Sequence, residues 1–217
     1  FYHSLHMTKR RSTREHLLNT GAMIASESGL RGLTVRGLSL RAGTNPGSFV
    51  YHFGNRDAFL NELLERWYEP LFTGVRTHAN VHLPSLKKLE IILEDIMDFL
   101  LLHGEFIAQL VLDALAGEKE AIRFISGLHT RHPFVLLETI QAAQEEGSIV
   151  SGNPMNVLMY LVCCGGAPFI LSGQLQVHDS QAARPVLELL GSILSDPDSA
   201  RQRMHWALNG IREGERT

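Results

Sequence analysis

The stretch TVRGLSLRAGTNPGSFVYHF, residues 34–53, constrains what this chain can fold into more than any other stretch. It predicts two short helices joined by a tight turn. Gly43 stands between the two helical patterns, where a backbone with positive φ costs glycine little. Asn45 offers a side-chain oxygen as the N-cap of the second helix, and Pro46 suits the first helical position, which needs no backbone N–H. The residues therefore predict a helix-turn-helix.

The second of these helices has two different faces. Phe49 and Phe53 lie four residues apart and therefore share an inward face. The outward positions carry polar or half-polar side chains, namely Asn45, Ser48, Tyr51 and His52. An apolar back and a hydrogen-bonding front are what a DNA recognition helix requires. The apolar side chains expected to join the same core are Leu18, Ile24, Leu33, Val35 and Leu38.

The charge of the chain is distributed unevenly. The whole sequence has a net charge of only −3, which by itself does not indicate a nucleic-acid partner. Residues 7–58, however, hold eight basic residues against three acidic ones, a net charge of +5, so the remainder carries −8. A basic head on an acidic body is typical of a DNA-binding domain joined to a domain that does not bind DNA. Chance clustering on a solvated face is the alternative.

The longer stretch GLTVRGLSLRAGTNPGSFVYHFGNRDAFL resembles the N-terminal domain of the TetR/AcrR family of bacterial transcriptional regulators. That pattern has a helix opened by Thr-Val, an Ala-Gly turn, a short helix ending in Tyr-His-Phe, and a basic residue that opens the next helix. Here the features are Thr34-Val35, Ala42-Gly43, Tyr51-His52-Phe53 and Arg56, and the match covers about residues 10–65. The departures concern the operator rather than the class of protein, and they are Gly21, Ala25, Val50 and Arg56.

The resemblance implies that the short helix enters the major groove and that Tyr51 and His52 contact backbone phosphates. Arg36 or Asn45 can read a base edge, because arginine pairs with guanine and asparagine with adenine. Thr34 opens a helix whose free N–H groups and dipole favour a phosphate. The full set of expected DNA-binding residues is Thr34, Arg36, Thr44, Asn45, Gly47, Ser48, Tyr51, His52 and Arg56.

Some of these residues also have a purely structural interpretation. Thr34 can serve as an N-cap without contacting DNA, and Tyr51 can be a half-buried core residue. Arg56 matches the basic residue with which the family clamps phosphate, but a surface pair with Asp57 or Glu62 would contribute little. The first three arginines suit either a basic arm that contacts DNA or an ordinary solvated terminus; they are Arg10, Arg11 and Arg14.

Helical patterns continue through the rest of the chain, whereas strands are poorly supported. The expected helices span 12–28, 56–76, 85–103, 105–115, 119–131, 133–146, 154–172, 181–194 and 198–212, with Ser85 as a cap and Gly104 as a stop. The predicted fold class is all-α. It has a three-helix helix-turn-helix DNA-binding domain in residues 7–55 and a helical ligand-binding and dimerisation domain in residues 56–217. Residues 1–6 are interpreted as an expression-vector remnant and left out of the fold.

The C-terminal domain is expected to form a homodimer. The resemblance implies pairing through the last major helices, 154–172 and one or both that follow. Gly165, Gly166 and Ala167 would allow helices to approach closely, although intrachain packing explains them equally well. Two recognition helices on a two-fold axis reach major-groove faces about 34–36 Å apart. The partner is therefore double-stranded DNA with a near-palindromic operator.

The same domain is expected to sense a small apolar or aromatic ligand. Small-molecule sites combine apolar and aromatic side chains with few polar groups, although aromatic residues at helical spacing are more often plain core. His103 and Asp113 are the best candidates for polar anchors. The candidate ligand-lining residues are Trp67, Leu71, Phe99, His103, Phe106, Leu110, Asp113, Phe124 and Leu128.

Metal and redox chemistry find less support. The pairs His78–His82 and His129–His132 have spacings that suit two metal ligands. No third ligand is identifiable, so neither a metal nor a cofactor is expected. Adjacent Cys163 and Cys164 indicate a reducing cytosol rather than a disulfide framework, with inert packing favoured over redox sensing.

No membrane or secretion signal is recognised in the sequence. No apolar run approaches the ~20 residues of a membrane span, and the first seven residues do not resemble a signal peptide. A cytoplasmic location is therefore expected.

These features predict a sequence-specific DNA-binding transcriptional regulator, with a repressor released by a small-molecule ligand as the leading hypothesis. A DNA-binding protein without an inducer would instead show a solidly packed body. A small all-α enzyme is the remaining alternative, but the sequence has no nucleophile elbow, P-loop, HExxH or GxGxxG motif.

Overall fold

The computed structural model describes residues 2–175 and 196–213, with side chains at 13–168 and 196–213. The described chain is built from helices: α1 (Tyr2–Ser28), α2 (Val35–Arg41), α3 (Pro46–Phe53), α4 (Arg56–Ala79), α5 (Ser85–Leu115), α6 (Lys119–Gly127), α7 (His132–Glu145), α8 (Pro154–Leu175) and α9 (Pro197–Ile211). A 3-10 turn, Leu128–Thr130, follows α6. Within the described ranges there is no strand, and Ile149 and Arg212 form an isolated antiparallel bridge. The all-α prediction is confirmed, and the helix expected at 181–194 lies outside the described residues.

The contacts divide the chain into two units that differ in extent from the two predicted domains. The first unit contains residues 1–68 and 109–125. The second contains residues 69–108 and 126–217. The end of α5 and most of α6 therefore pack with the helix-turn-helix rather than with the rest of the C-terminal sequence.

The turn between α2 and α3 has the predicted geometry. Gly43 has φ of +60°, which favours glycine over any residue with a side chain. The Asn45 side chain accepts a hydrogen bond from the Ser48 amide at 2.8 Å, and Pro46 opens α3. Thr34 caps α2 in the same way, accepting from the Gly37 amide at 3.0 Å. The local signals in the sequence are thus sufficient to fix this turn and both helix starts.

The core of the first unit is largely the predicted one. Phe49 and Phe59 are fully buried, with ring centroids 5.3 Å apart, and Phe53 packs edge-on against Phe59 at 4.8 Å. Leu18, Ile24, Leu33 and Leu38 are buried as expected, whereas Val35 is only partly buried. Burial of such side chains stabilises the domain by about 1.5–3 kcal/mol each.

Helix α5 begins at Ser85, as expected, but extends beyond its predicted end. It continues through Gly104 as one helix of 31 residues. An isolated glycine costs a helix only about 1 kcal/mol relative to alanine, and Met97, Phe106 and Leu110 on either side are buried. Gly104 therefore does not end the helix.

The start of α5 is capped by a carboxylate rather than by Ser85. The Ser85 hydroxyl and amide both donate to the Glu146 carboxylate, at 2.6 and 2.9 Å. These bonds lower the pKa of Glu146, because they favour its charged form. A carboxylate at a helix N-terminus is also stabilised by the helix dipole.

Helix α1 is longer than predicted. It begins at Tyr2, not near residue 12, and so includes most of the segment that was left out of the fold. Residues 2–12 contain no proline or glycine that would stop a helix. The helix ends as expected at Ser28, before Gly29 with φ of +72°.

The second unit packs α8 against α7 and α9. Its core includes Leu89 and Ile92 of α5, Ile140 of α7, Leu161 of α8 and Ala207 of α9. Gly165 is buried there, and a β-carbon on it would lie 3.2 Å from the Met97 sulfur. Gly165 therefore serves close packing within the chain.

No single helix in the described ranges is both long and apolar enough to cross a membrane. One bent pair of helices, Ser85–Leu115 with Lys119–Glu145, has the necessary length and composition when the two are taken together.

Candidate nucleic-acid interface

Helix α3 presents a solvent-exposed front. Tyr51 is 62% exposed, so its interpretation as a half-buried core residue is wrong. Asn45 and Gly47 are also exposed, while Ser48 and His52 are partly buried. The rings of Tyr51 and His52 meet edge-on with centroids 5.2 Å apart. The front of α3 therefore combines an aromatic pair with small polar groups, and Gly47 leaves its backbone open to close approach.

One exposed apolar side chain on each of α2 and α3 was not predicted to contact DNA. Val50 on α3 is 54% exposed and Leu40 on α2 is 80% exposed. Val50 belongs to the same helix front as Tyr51, and an apolar side chain there can contact the methyl group of thymine. Its position outside the Phe49–Phe53 back of the helix is the sequence signal that would have identified it.

Arg36 is the basic side chain best placed to meet DNA. Among the arginines that the structure describes in residues 13–58, it alone has no carboxylate partner. The others pair with acids of the same unit, as Arg14–Glu62, Arg31–Asp113, Arg41–Glu27 and Arg56–Glu118. Arg36 is exposed in the first turn of α2, near the capping residue Thr34. The positive charge of Arg36 thus lies at the helix start that Thr34 caps.

The capping bonds limit what Thr34 and Asn45 can offer to DNA. Each side-chain oxygen already accepts a hydrogen bond from an amide of its own helix. The Asn45 amide nitrogen and the Thr34 hydroxyl proton are still donors, and donors suit phosphate oxygens. Thr44 is less available, since its hydroxyl lies 3.4 Å from the Ser39 carbonyl oxygen. These residues are therefore better placed to contact the DNA backbone than to form two hydrogen bonds with an adenine base.

Arg56 is placed differently from the expectation. Its guanidinium donates to the Leu33 carbonyl at 2.8 Å and to the Leu30 carbonyl. It also makes two bonds to the Glu118 carboxylate, at 3.1 and 3.2 Å, and is 28% exposed. The geometry argues against a phosphate clamp, because these partners would have to be given up. It also excludes the alternative of a surface pair with Asp57 or Glu62.

The ligand candidates divide between the two units. Trp67, Leu110, Asp113 and Phe124 belong to the first unit, and Leu71, Phe99, His103, Phe106 and Leu128 to the second. In the first unit, Trp67 packs against Phe124 with ring centroids 6.2 Å apart. In the second, the rings of Phe99 and His103 lie 4.5 Å apart and both are partly buried.

Asp113 is not available as a ligand anchor. Its side chain is 1% exposed and accepts hydrogen bonds from the Leu30 amide and from the Arg31 guanidinium at 2.9 Å. A carboxylate so engaged has little capacity left for a ligand. The expectation that Asp113 anchors a ligand is therefore corrected: it holds the segment after α1.

A cavity of about 580 Å³ opens within the second unit, between α5 and α9. None of the predicted ligand candidates lines it. An apolar floor of Leu93, Met97, Met204 and Leu208 lies under a charged rim. Two ion pairs join lining residues of the two helices, one between Arg201 and Asp98 and one between Arg212 and Glu90.

The described histidine and cysteine residues form no cluster that could bind a metal. In the described part of the chain, no three potential metal ligands come together. His78 pairs with Asp95 at 2.6 Å, and His129 with the Ser126 carbonyl at 2.6 Å. Cys163 is exposed and Cys164 partly buried, and both are free thiols.

Comparison with known proteins supports the interpretation of the helix-turn-helix as a DNA-binding segment. Residues 17–63 match the family described as bacterial regulatory proteins, tetR family. An HTH-type transcriptional repressor KstR2 from Rhodococcus jostii (strain RHA1) is 26% identical over 141 residues, which cover 64% of this chain and 68% of that protein. The KstR2 of Mycobacterium tuberculosis is 33% identical over 79 residues, 36% of this chain and 40% of its own.

Solved structures share the fold over nearly the whole chain. The ketosteroid transcriptional regulator KstR2 of Mycobacterium tuberculosis superposes with a TM-score of 0.66 at 20% identity, covering 93% of this chain and 95% of that one. A SmeT–triclosan complex gives a TM-score of 0.69 at 15% identity, covering 94% and 93%. With the exposed helix-turn-helix front, the matched residues 17–63 form a DNA-binding segment of the tetR family of bacterial regulatory proteins, and the chain is a DNA-binding transcriptional regulator.

Proposed function

We propose that this regulator is a repressor that binds a near-palindromic operator as a homodimer and is released by a small apolar or aromatic ligand. The relatives in Rhodococcus and Mycobacterium are both described as transcriptional repressors. The observation that carries the ligand part is the partly buried pair of Phe99 and His103 in the second unit. The protein would act in the cytoplasm, where the chromosome lies.

His103 is suited to an uncharged ligand. Burial lowers its pKa below the ordinary value, so the imidazole is neutral at pH 7. A neutral imidazole can donate or accept one hydrogen bond without the cost of burying a charge. Phe99 beside it supplies an aromatic wall. A ketosteroid, the class of compound for which the Mycobacterium regulator is named, and triclosan, bound in the SmeT complex, both combine apolar rings with few oxygen atoms.

The face of α8 supports the homodimer. Met155, Met159 and Val162 are 46%, 51% and 43% exposed, and their spacing of four and three residues places them on one stripe of the helix. A stripe of large apolar side chains is typical of a buried interface. We therefore place the dimer contact on this stripe rather than on Gly165, which packs within the chain.

The first test is selection of duplexes from a random DNA pool, followed by ligand release. Wild-type protein should enrich a palindrome with half-sites about one helical turn apart. Triclosan and a ketosteroid are then added separately to the complex with the enriched duplex. Release by either compound, weakened in His103→Ala but not in the exposed control His82→Ala, supports the proposal.

Different failures of this experiment have different meanings. Enrichment of a palindrome without release by either probe would count against an inducer of this chemical class. Enrichment of a half-site alone would count against the homodimer. Retention of DNA with no motif, lost steeply with added salt, would leave only backbone electrostatics and overturn the operator.

A further inference from the structure

Two acidic side chains from outside the helix-turn-helix, one buried and one mostly buried, hold the segment that leads into α2. Asp113, near the end of α5, accepts hydrogen bonds from the Leu30 amide and the Arg31 guanidinium. Glu118, just before α6, accepts two bonds from the Arg56 guanidinium. Arg56 links Glu118 to the segment between α1 and α2, because its guanidinium also donates to the carbonyls of Leu30 and Leu33. We call Asp113, Glu118 and Arg56 the acidic clasp.

The backbone between α1 and α2 is shaped to admit this clasp. Gly29 has φ of +72°, and a β-carbon on it would lie 2.7 Å from the Asp113 carboxylate. Any other residue would be strained in this conformation and would push the carboxylate away. The segment ends at Thr34, the N-cap of α2. The clasp therefore fixes the backbone from which the DNA-facing residues Thr34 and Arg36 project.

Neither acid can contribute to DNA binding by contact. Asp113 and Glu118 are 1% and 12% exposed, and a carboxylate repels phosphate. By charge alone, each of them weakens the attraction between this basic unit and DNA. An effect of their removal on DNA affinity therefore has opposite signs for the two possible roles: tighter binding if only charge matters, weaker binding if position matters.

We propose that Asp113 and Glu118 are positioning residues for DNA binding, which act by holding residues 29–34 in the conformation that presents α2 and α3 to the duplex. The inference rests on the DNA-binding activity of the family and not on the existence of an inducer. It assigns a role in DNA recognition to residues 109–125, which lie far from the helix-turn-helix in sequence but in the same unit. Bonds between charged groups in a partly buried place are strong enough to carry such a role.

The test uses Asp113→Asn and Glu118→Gln, which preserve the side-chain shape, in the full chain. Binding to the duplex enriched by wild-type protein is measured across a range of salt concentrations. The matched control is Glu15→Gln, which removes an exposed carboxylate from α1. We expect about tenfold weaker binding in the two clasp variants and equal or slightly tighter binding in the control.

Two further readouts separate positioning from loss of a contact or of the fold. The slope of log affinity against log salt should stay unchanged in the clasp variants, because no phosphate contact is lost. Amide hydrogen exchange, which needs no DNA, should accelerate in residues 30–41 while the amides of residues 126–168 keep their protection. Glu118→Asp, which keeps the charge, should restore part of the affinity.

The outcomes decide the matter in either direction. Faster local exchange together with weaker binding at constant salt slope supports the proposal. Unchanged exchange, or binding as tight as or tighter than wild type in either folded variant, overturns it. If wild-type protein enriches no duplex, the operator itself is refuted, and the exchange data still show whether the clasp holds residues 29–34.

Discussion

The ring of Phe59 occupies the space that a side chain on Gly21 would need. A β-carbon on Gly21 would lie 2.5 Å from Cζ of Phe59 and 2.9 Å from Cε1, well inside van der Waals contact. Phe59 is fully buried and packs against both Phe49 and Phe53. The glycine that departs from the family pattern in the first helix is therefore what lets α1 and α4 approach across this aromatic cluster.

The variant Gly21→Ala should consequently destabilise the protein despite the better helix propensity of alanine. Overpacking of a filled core costs about 1–3 kcal/mol, which exceeds the ~1 kcal/mol gained from propensity. Urea denaturation provides the measurement. Gly127→Ala, with no atom near the added carbon, is the control and should be neutral or stabilising. A Gly21→Ala variant as stable as wild type would contradict this packing.

Replacement of Arg36 should weaken DNA binding without changing stability. Arg36→Gln removes the one arginine in residues 13–58 that has no described carboxylate partner, so no internal ion pair is lost. A phosphate contact would lower the slope of log affinity against log salt by about one. Fluorescence anisotropy at several salt concentrations measures that slope. Arg66→Gln on α4 loses the same charge and serves as control; equal effects in both variants would show that only net charge matters.

Asn45 can be tested for its two roles separately. Asn45→Ala removes the cap of α3 and should lower the free energy of unfolding by about 1 kcal/mol. Asn45→Asp keeps the capping oxygen and should keep the stability, but it places a negative charge on the helix front. Asn45→Asp should therefore bind DNA more weakly than wild type although it is equally stable. Thermal denaturation and DNA titration of both variants distinguish cap from contact, and equal DNA affinity in Asn45→Asp and wild type would exclude Asn45 from the interface.

The second unit should lose stability in mild acid because of His132. Burial, aided by the neighbouring Arg131 charge, lowers the pKa of His132 from 6.5 to about 4. His132 is therefore protonated below about pH 6.5 in the unfolded chain but only below about pH 4 in the folded chain. Stability falls as the pH drops through this window, by about 3 kcal/mol in total. Denaturation of wild type and His132→Gln at pH 7 and pH 5 should show a smaller acid loss in the variant; parallel losses would contradict the burial.

Charge on the exposed stripe of α8 should dissociate the proposed homodimer. Met159→Glu would bury a carboxylate at the interface and raise the dimer dissociation constant by roughly tenfold or more. Sedimentation velocity measures the change. Met23→Glu on α1, where the methionine is similarly exposed at 55%, provides the control. If neither variant dissociates the dimer, the dimer contact does not lie on this stripe.

The helix-turn-helix could be predicted because its signals are local. Gly43, Asn45 and Pro46 act within a few residues of their own positions, and each has the expected role. The same reasoning failed at Gly104, where the cost of a glycine is smaller than the stabilisation from buried neighbours such as Phe106. It also failed at Ser85, whose capping partner lies 61 residues away.

The roles of the charged residues were harder to predict for the same reason. Asp113 and Arg31 are 82 residues apart, and Arg56 and Glu118 are 62 residues apart. No periodicity or motif relates such positions, so Asp113 was taken for a ligand anchor and Arg56 for a phosphate clamp. Exposed residues of α3, in contrast, followed from helical spacing alone, as Tyr51 shows.

The bond between Ser85 and Glu146 has a consequence for synthesis of the chain. Until the ribosome has produced the end of α7, the first amide of α5 has no Glu146 carboxylate to receive its hydrogen bond. At about 5–20 residues per second, the start of this long apolar helix spends several seconds uncapped after it emerges. The second unit can therefore complete its fold only late in translation, and truncated chains that end before Glu146 should be preferred substrates for chaperones and proteases.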